Sequence, residues 1–336
     1  MRVVSGKYRG RKIESPKGND VRPTSDMVKE NIFNTIQFDV AGSCFLDLFC
    51  GSGGMGIEAL SRGAKQVTFV DKSKTSIALT QRNLAGIKDD YRIVNSDFES
   101  ALRGVGKQDF IFVDPPYKTN YIGDICAIVL DRDLLSDDGY IIYEHDKDKE
   151  YSLTDEFWIA KRKRYGCIVV DFIARTKKIA LIPGSFDPIT KGHTWLVEEA
   201  LQEWDKVVVL VADNPDKRYL FDREERRQIA EIALENTLNV RVDDYGGMVF
   251  EYCNSHNIGN IVRGYRDDKD YLYECAMSEF NKSHGGVETT LYKSDNLIDV
   301  SSSVVRDMLK NKTSLRGLVP DNCIKTIERI LGEKYE

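Results

Sequence analysis

The stretch Ile179–His193, IALIPGSFDPITKGH, constrains this chain more than any other, because it opens an α/β pattern where another has already run to completion. A short apolar run, a Gly/Ser/Pro turn and then a helix start is how such a fold begins. The same order occurs earlier, at Cys44–Leu60, CFLDLFCGSGGMGIEAL. Two openings in 336 residues agree with a length that suggests about two domains, each able to bury its own core. The sequence therefore predicts two doubly wound, Rossmann-like α/β domains joined end to end, 1–176 and 177–336. Only Thr176, Lys177 and Lys178 lie between the last strand of one and the first strand of the next.

Composition narrows the setting. Apolar residues make up 41% and charged residues 30% of the chain, the balance of a globular protein. No run approaches the roughly 18 apolar residues of a membrane span, and MRVVSGKYRGRK lacks an apolar leader segment, so a cytoplasmic protein with no membrane partner is expected. Seven cysteines form no C-x-x-C pair, which suggests neither a zinc site nor a disulfide framework. Charge is uneven: residues 1–178 carry 28 Lys and Arg against 26 Asp and Glu, whereas residues 179–336 carry 20 against 28. Six basic residues (Arg2, Lys7, Arg9, Arg11, Lys12, Lys17) and one acid, Glu14, fall within the first 17 positions. Such an arm suits a phosphate backbone, and Tyr8 among the charges favours RNA, since a ring can stack on an unpaired base. A solvated tail is the alternative.

In the first half, RPTSDMVKENIFN (Arg22–Asn34) reads as a helix capped by Ser25 or Asp26, with Val28, Ile32, Phe33 and Ile36 on one face. The loop Gly51-Ser-Gly53-Gly54-Met-Gly56 lets backbone approach a ligand at a helix N-terminus. Asp71 ends the next strand, 20 residues beyond Gly51, where an acid accepts from ribose hydroxyls. That set fits either a dinucleotide or S-adenosylmethionine. Asp47, inside the strand before the loop, suits the cationic or amino end of the methionine moiety. Strand DFIFV then runs into Asp114-Pro115-Pro116-Tyr117. An exocyclic amine is a poor nucleophile because its lone pair is delocalised into the ring. A carboxylate and a proline carbonyl that accept its N–H bonds, with a ring holding the base, favour its attack on a sulfonium methyl. Two strands around Tyr165-Gly166 read as a closing antiparallel hairpin, and His145 lacks a metal-spaced partner and reads as structural.

The set VVSGKYRGRKI, RPTSDMVKENIFN, DLFCGSGGMGIEALSRGA, FVD and DPPY resembles the bacterial family that methylates guanine N2 in small-subunit ribosomal RNA, over residues 1 to about 175. The resemblance implies a class I methyltransferase fold, with S-adenosylmethionine held by Asp47, Gly51, Gly53, Asp71 and Asp97. It further implies that Asp114, Pro115 and Tyr117 act on the target amine, and that ribosomal RNA or an assembling small subunit is the partner. Asp71 stands where the family often has Glu, and Cys50 where it often has Ala. A DNA adenine-N6 methyltransferase is the rival, because DPPY serves there too; the basic arm and RPTSD argue against it.

In the second half, Gly184 and Ser185 follow the first strand, and Thr190-x-Gly192-His193 opens a helix whose N-terminus phosphates can approach. Lys217 lies in the loop after the second strand. The helix DREERRQIAEIALE carries Asp222 and Glu225 as a capping box. NIVRGYRDDKDYLYE places Arg263 and Arg266 at a strand end, and DVSSSVVRDML puts three hydroxyls at a helix N-terminus. Met248, Tyr252 and Cys253 read as pocket wall and core, and His256 and His284 as surface or structural.

This ensemble resembles bacterial phosphopantetheine adenylyltransferase, of the H-x-G-H nucleotidyltransferase superfamily, over about 179–332. By that resemblance Ser185, Lys217, Val249 and Arg263 hold 4′-phosphopantetheine. ATP is held by Ser185, Phe186, His193, Gly264, Tyr265, Arg266, Glu274 and the loop Leu297, Ile298, Asp299, Val300, Ser301, Ser302 and Ser303. Departures are Ser185 for Thr, Tyr271-Leu272 for Phe-Glu, and Leu297 where an aromatic is common. The attacking phosphate is already ionised, so no general base is needed, and His193, Ser185 and Lys217 are expected to stabilise the in-line displacement at the α-phosphorus. Mg²⁺ is expected to be held by phosphates and water, with no protein metal ligands. A homo-oligomer through the second domain is expected as well. A cytidylyl- or nicotinamide-mononucleotide transferase is disfavoured by RGYR and SSS, and a half that only binds RNA or nucleotide is the remaining alternative.

Overall fold

The computed structural model describes residues 1–15, 25–116, 120–214, 217–294, 301–311 and 313–335. The chain divides into two compact units, Met1–Arg175 and Thr176–Glu336. In the first, helices α1 (Asp26–Thr35), α2 (Gly54–Ser61), α3 (Lys74–Asn83), α4 (Phe98–Gly104) and α5 (Ile122–Asp131) flank a seven-stranded sheet. Its strands are β1 (Cys44–Asp47), β2 (Gln66–Asp71), β3 (Tyr91–Asn95), β4 (Gln108–Val113), β5 (Leu135–Asp146), β6 (Phe157–Tyr165) and β7 (Ile168–Arg175). They lie in the order β3-β2-β1-β4-β5-β7-β6, parallel from β3 to β5, with β7 antiparallel to both β5 and β6. The expected closing hairpin is thus present. Strands buried on both faces need continuous apolar runs, and Phe110–Val113 and Ile141–Tyr143 supply them.

Sequence order reverses between β1 and β4, which opens a crevice beyond the carboxyl ends of the strands. Helix α1 begins where expected, with the Ser25 hydroxyl accepting from the Val28 amide at 3.3 Å, and it buries Val28, Ile32 and Phe33 against the sheet. A lone acid inside the apolar run of β7, Asp171, is fully buried. Its carboxylate receives the Arg162 guanidinium (2.7 and 2.6 Å), His145 Nε2 (2.9 Å) and the Tyr151 hydroxyl. Burial pushes the Asp171 carboxyl up, but these hydrogen bonds and the Arg162 charge outweigh it and hold it below the usual carboxylate range. His145 is structural, as its isolation in sequence suggested.

Residues 1–15 of the N-terminal arm are tied into the fold of the first unit rather than forming a solvated tail. Arg2 and Lys12 pair as an antiparallel bridge, and Val3 and Ile13 are buried in the core, each contributing roughly 1.5–3 kcal/mol relative to exposure. The buried Glu58 carboxylate accepts from the amides of Val4 (2.7 Å) and Ser5 (3.0 Å), while the buried Lys29 ammonium donates to the Arg2 carbonyl (2.6 Å). Tyr8 donates its hydroxyl to Asp89 at 2.6 Å and Lys7 pairs with the same carboxylate, so both side chains are anchored at their polar ends. Arg9 and Lys12 carry no ion pair among the described residues.

The second unit has a five-stranded parallel sheet of β8 (Ile179–Gly184), β9 (Lys206–Ala212), β10 (Val240–Tyr245), β11 (Asn260–Tyr265) and β12 (Glu288–Lys293), in the order β10-β9-β8-β11-β12. Helices α6 (Lys191–Ala200), α7 (Arg223–Leu234), α8 (Val249–Ser255), α9 (Asp268–Gly285), α10 (Ser302–Lys310) and α11 (Ile324–Tyr335) accompany it. Here the order reverses between β8 and β11. The Asp222/Glu225 capping box forms as read, with Asp222 Oδ1 accepting from the Glu225 amide and Glu225 Oε2 from the Asp222 amide (2.9 and 2.8 Å). Tyr252 and Cys253 are core, but Met248 at the N-cap of α8 is 46% exposed, because a cap residue precedes the buried face of its helix. No helix among the described residues is long and apolar enough to cross a membrane.

Candidate active sites

In the first unit the loop after β1 turns through left-handed backbone at Gly51 (φ 53°) and Gly53 (φ 77°), conformations that favour glycine. At Gly56 the reason is contact: a Cβ there would lie 2.2 Å from the Phe69 ring, so α2 sits directly on β2. Asp47 ends β1 with 1% exposure, and its Oδ2 accepts from the Gly56 amide at 2.9 Å. Burial, opposed by that hydrogen bond and reinforced by the charge of Asp71, raises its carboxyl to about 7. Asp71 ends β2 and accepts from the Gly51 amide (3.0 Å) and the Ser73 amide (2.8 Å), which ties the loop to the strand.

Asp114 and the buried Pro115 follow β4 directly. Burial first, then the charges of Glu144 and Asp47, push the Asp114 carboxyl well above the carboxylate range. Asp71, Asp47 and Asp114 therefore stand at the carboxyl ends of the adjacent strands β2, β1 and β4, around the crevice. Asp97 caps α4, and its Oδ1 accepts from the Ser100 amide at 2.8 Å, which holds this exposed carboxyl below its usual range. Tyr117 lies outside the described residues. Sequence reasoning missed an aromatic wall at the same edge: Phe98 and Tyr121 have centroids 4.8 Å apart, and Phe49 lies parallel to Tyr121 at 6.2 Å. Its members come from the segments that follow three different strands, with Phe98 opening α4, so no local pattern joins them.

In the second unit His193 is N3 of α6. Its Nδ1 accepts from the Thr190 amide at 2.9 Å, so the neutral ring carries its proton on Nε2. Burial, with the charges of Arg263, Arg266 and Lys217 behind it, lowers the imidazole to about 4. His193 is thus a neutral N–H donor at pH 7. The buried Phe186, at φ 45°, sets its ring edge-on to the imidazole with centroids 5.0 Å apart.

Ser185 follows β8, half-buried, and Lys217 is exposed in the loop after β9. Two residues that the sequence reading passed over hold these loops together. Arg226 of α7, 1% exposed, donates to the Ser185 carbonyl (2.7 Å) and the Phe221 carbonyl (3.2 Å), pairs with Asp213, and lies 4.1 Å from the centre of the Tyr219 ring. The buried Asp187 carboxylate accepts from the amides of Leu220 and Phe221, both at 3.0 Å, while Arg306 donates to the Asp187 carbonyl at 2.8 Å. An acid between a glycine turn and a proline was the available signal for Asp187.

Arg263, in β11, spends much of its guanidinium internally: Nε and Nη2 donate to Glu274 (2.8 and 2.7 Å), and Nη1 to the Pro183 carbonyl. Arg266 pairs with Asp270 at 2.8 Å, and Tyr265 is half-buried beside it. Gly264 lies in β11 beside Leu196 of α6, and Val249 packs against the core under α8. Ser301 caps α10 (3.4 Å), Ser302 donates to the Pro188 carbonyl (2.9 Å) and Ser303 accepts from Arg306 (3.1 Å). Leu297, Ile298, Asp299 and Val300 lie outside the described residues. Among the described residues no group of three His, Cys, Asp or Glu side chains is placed to hold a metal.

Two sheets, the first mixed and the second parallel, each with a glycine-bearing loop and charged side chains at its reversal point, define a chain of two doubly wound α/β units. The family described as Conserved hypothetical protein 95 matches residues 1–174, and Cytidylyltransferase-like matches residues 181–308. The Bacillus subtilis protein named "Putative rRNA methyltransferase YlbH" is 38% identical over 49% of this chain and 94% of its own length. "Phosphopantetheine adenylyltransferase" of Thermotoga neapolitana is 45% identical over 39% of this chain and 82% of its own. The solved "Putative methyltransferase yhhF from Escherichia coli" is 28% identical, covering 52% of this chain and 97% of that one with a TM-score of 0.48. The chain belongs to the Conserved hypothetical protein 95 family in its first half and to the phosphopantetheine adenylyltransferases in its second, as a fusion of the two.

Proposed function

We propose that the chain is a bifunctional enzyme. The first unit transfers a methyl group from S-adenosylmethionine to guanine N2 of small-subunit ribosomal RNA, and the second transfers adenylate from ATP to 4′-phosphopantetheine, giving dephospho-coenzyme A and pyrophosphate. The observation that carries the reading is that each sheet has its own site at its own reversal point, one built on carboxylates and the other on a neutral imidazole with flanking cations.

The residues fit an adenosine-bearing sulfonium in the first unit. Asp47 is buried at the strand end, where a cationic or amino group would draw it into its ionised form. Asp71 keeps lone pairs for ribose hydroxyls, and Phe49, Phe98 and Tyr121 offer an apolar wall for a flat base. S-adenosylmethionine supplies an electrophilic methyl when bound. Asp114 accepts from the target amine and takes the proton that the amine loses on methylation. Burial and the charges of Glu144 and Asp47, which raise this carboxyl, make its ionised form a stronger base. Pro115 places its carbonyl alongside, and Tyr117 holds the base. Gly51 and Gly53 bring backbone close to the ligand, with Asp97 at the rim.

In the second unit the phosphate oxygen of 4′-phosphopantetheine attacks the α-phosphorus of ATP, and the bond to pyrophosphate breaks. His193 Nε2–H and Ser185 donate to the oxygens on which charge accumulates. Lys217 neutralises the incoming phosphate. Arg266, Gly264, Tyr265, Glu274 and the segment 297–303 border ATP, and Val249 and Arg263 border the pantetheine arm. With no cluster of acidic ligands among the described residues, Mg²⁺ would ride on the phosphates. Exposed Tyr271, Leu272, Tyr273 and Met277 on α9 support self-association through this unit.

Tritium from labelled S-adenosylmethionine should enter stripped small ribosomal subunits as N2-methylguanosine and not enter duplex DNA. Pyrophosphate should appear only when ATP and 4′-phosphopantetheine are both present. Label in DNA adenine, or turnover on nicotinamide mononucleotide in place of phosphopantetheine, would overturn the corresponding half.

A further inference from the structure

β6 is the outermost strand of the first sheet, paired only with β7, and no further strand covers its far side among the described residues. The sequence puts four consecutive cations on this edge, Lys161-Arg162-Lys163-Arg164, with no acid between Phe157 and Cys167. Side chains alternate along a strand. Arg162 faces Asp171, which takes up its charge. Lys161, Lys163 and Tyr165 stand opposite Phe172, Val170 and Ile168, on the sheet face that α1 covers. There the Lys163 ammonium donates to the Thr35 hydroxyl at the end of α1 (2.6 Å). Lys161 and Arg164 are exposed and have no ion pair among the described residues. Three positions past Thr35, in the turn that follows α1, Phe38 is 88% exposed.

This edge is in line with the crevice. Val113, Tyr143, Asp171 and Arg162 form one row across β4, β5, β7 and β6. Asp114 and Lys163 each lie one position beyond that row, towards the same end, so three strand spacings, about 14 Å, separate their backbones. We infer that the outer edge of β6 is a docking surface for the single-stranded RNA next to the target base, with Lys161, Lys163 and Arg164 on its phosphates and Phe38 stacked on an unpaired base. The inference rests on the RNA reading above and adds the path by which the strand leaves the crevice. Cations that track a backbone, joined by a ring that stacks on any base, make a sequence-tolerant site. Charge on an edge strand also discourages another strand from adding to it. That purpose alone needs neither an exposed ring nor alignment with Asp114.

The experiment uses the full chain, with S-adenosylmethionine affinity measured in parallel as the check on folding. Binding is read on a fluorescent single-stranded oligouridylate, and methylation on stripped small ribosomal subunits. K161Q/R164Q removes two phosphate contacts, so the slope of log affinity against log salt should flatten by about 1.4. F38A should weaken oligouridylate about 5- to 150-fold, the range for one stacked base, and leave that slope as it is. Both variants should raise KM for the stripped subunits while kcat and cofactor affinity stay native, the pattern of lost uniform binding. Native oligouridylate affinity and salt slope in both variants would overturn the inference; if KM for the subunits rose all the same, the edge would be meeting a ribosomal protein instead of RNA. A native chain that binds oligouridylate through these residues yet methylates no small-subunit RNA would sink the methylation reading while supporting RNA at this edge.

Discussion

His193 is kept neutral by two causes acting together: the Thr190 amide occupies Nδ1, and burial beside Arg263, Arg266 and Lys217 lowers the ring to about 4. The kcat/KM of adenylyl transfer, which reports the free enzyme, should therefore show no inflection from this ring between pH 8 and 5.5, where an ordinary imidazole would give one. A limb near 6.5 that vanishes in H193A would refute the assignment. The same shift makes the unfolded chain bind a proton first as pH falls, so this contribution to stability is lost from about 6.5 down to 4. Loss of the donor in H193A should lower kcat by about 10²- to 10³-fold, read as pyrophosphate release. Asp47 works in the opposite sense. Its folded carboxyl titrates at about 7 rather than 3.8, so its contribution is present below about 4 and is lost as pH rises through 7. Cofactor binding at pH 6 should then expel a proton and show a buffer-dependent enthalpy in calorimetry; equal heats in two buffers at pH 6 would rule this out.

At the scale of the elements, both sites depend on how closely helices and loops approach the strands. G56A pushes a methyl into the Phe69 ring and should cost about 1–3 kcal/mol in denaturant unfolding of the first unit. In the second unit, the Arg226 guanidinium spans the loop after β8, the loop after β9 and the start of α7. R226K keeps the charge but loses the fork, so KM for both substrates should rise while the far-ultraviolet dichroism stays native. Unchanged KM would show that the two loops hold their places without it. Helix caps at Ser25 and Asp222, the glycine turn at Gly51–Gly53 and the hairpin at Tyr165-Gly166 were all legible in sequence, because each depends on residues within a few positions. Arg226 and Asp171 were not, since their partners lie as many as 41 and 26 positions away.

For the whole molecule, two compact units imply two cooperative unfolding events. S-adenosylhomocysteine at 100 times its dissociation constant should stabilise one event by about 2.7 kcal/mol and leave the other unmoved, and dephospho-coenzyme A should do the reverse. One ligand shifting both events equally would contradict two independent sites. Fragments cut between Arg175 and Thr176 should each keep their own activity.

The sequence by itself determined that there are two α/β units, where their glycine loops lie, and which acids and cations end their strands, because apolar periodicity and turn chemistry are local. Only the tertiary structure decided which charges remain for a ligand. Tyr8 and Lys7, read in sequence as part of a basic arm, meet Asp89, some eighty positions on, and Arg263 meets Glu274. A hydrogen-bonding group pairs with whatever the folded chain brings within about 3 Å, and that neighbour is set by sheet order and packing rather than by its place along the chain.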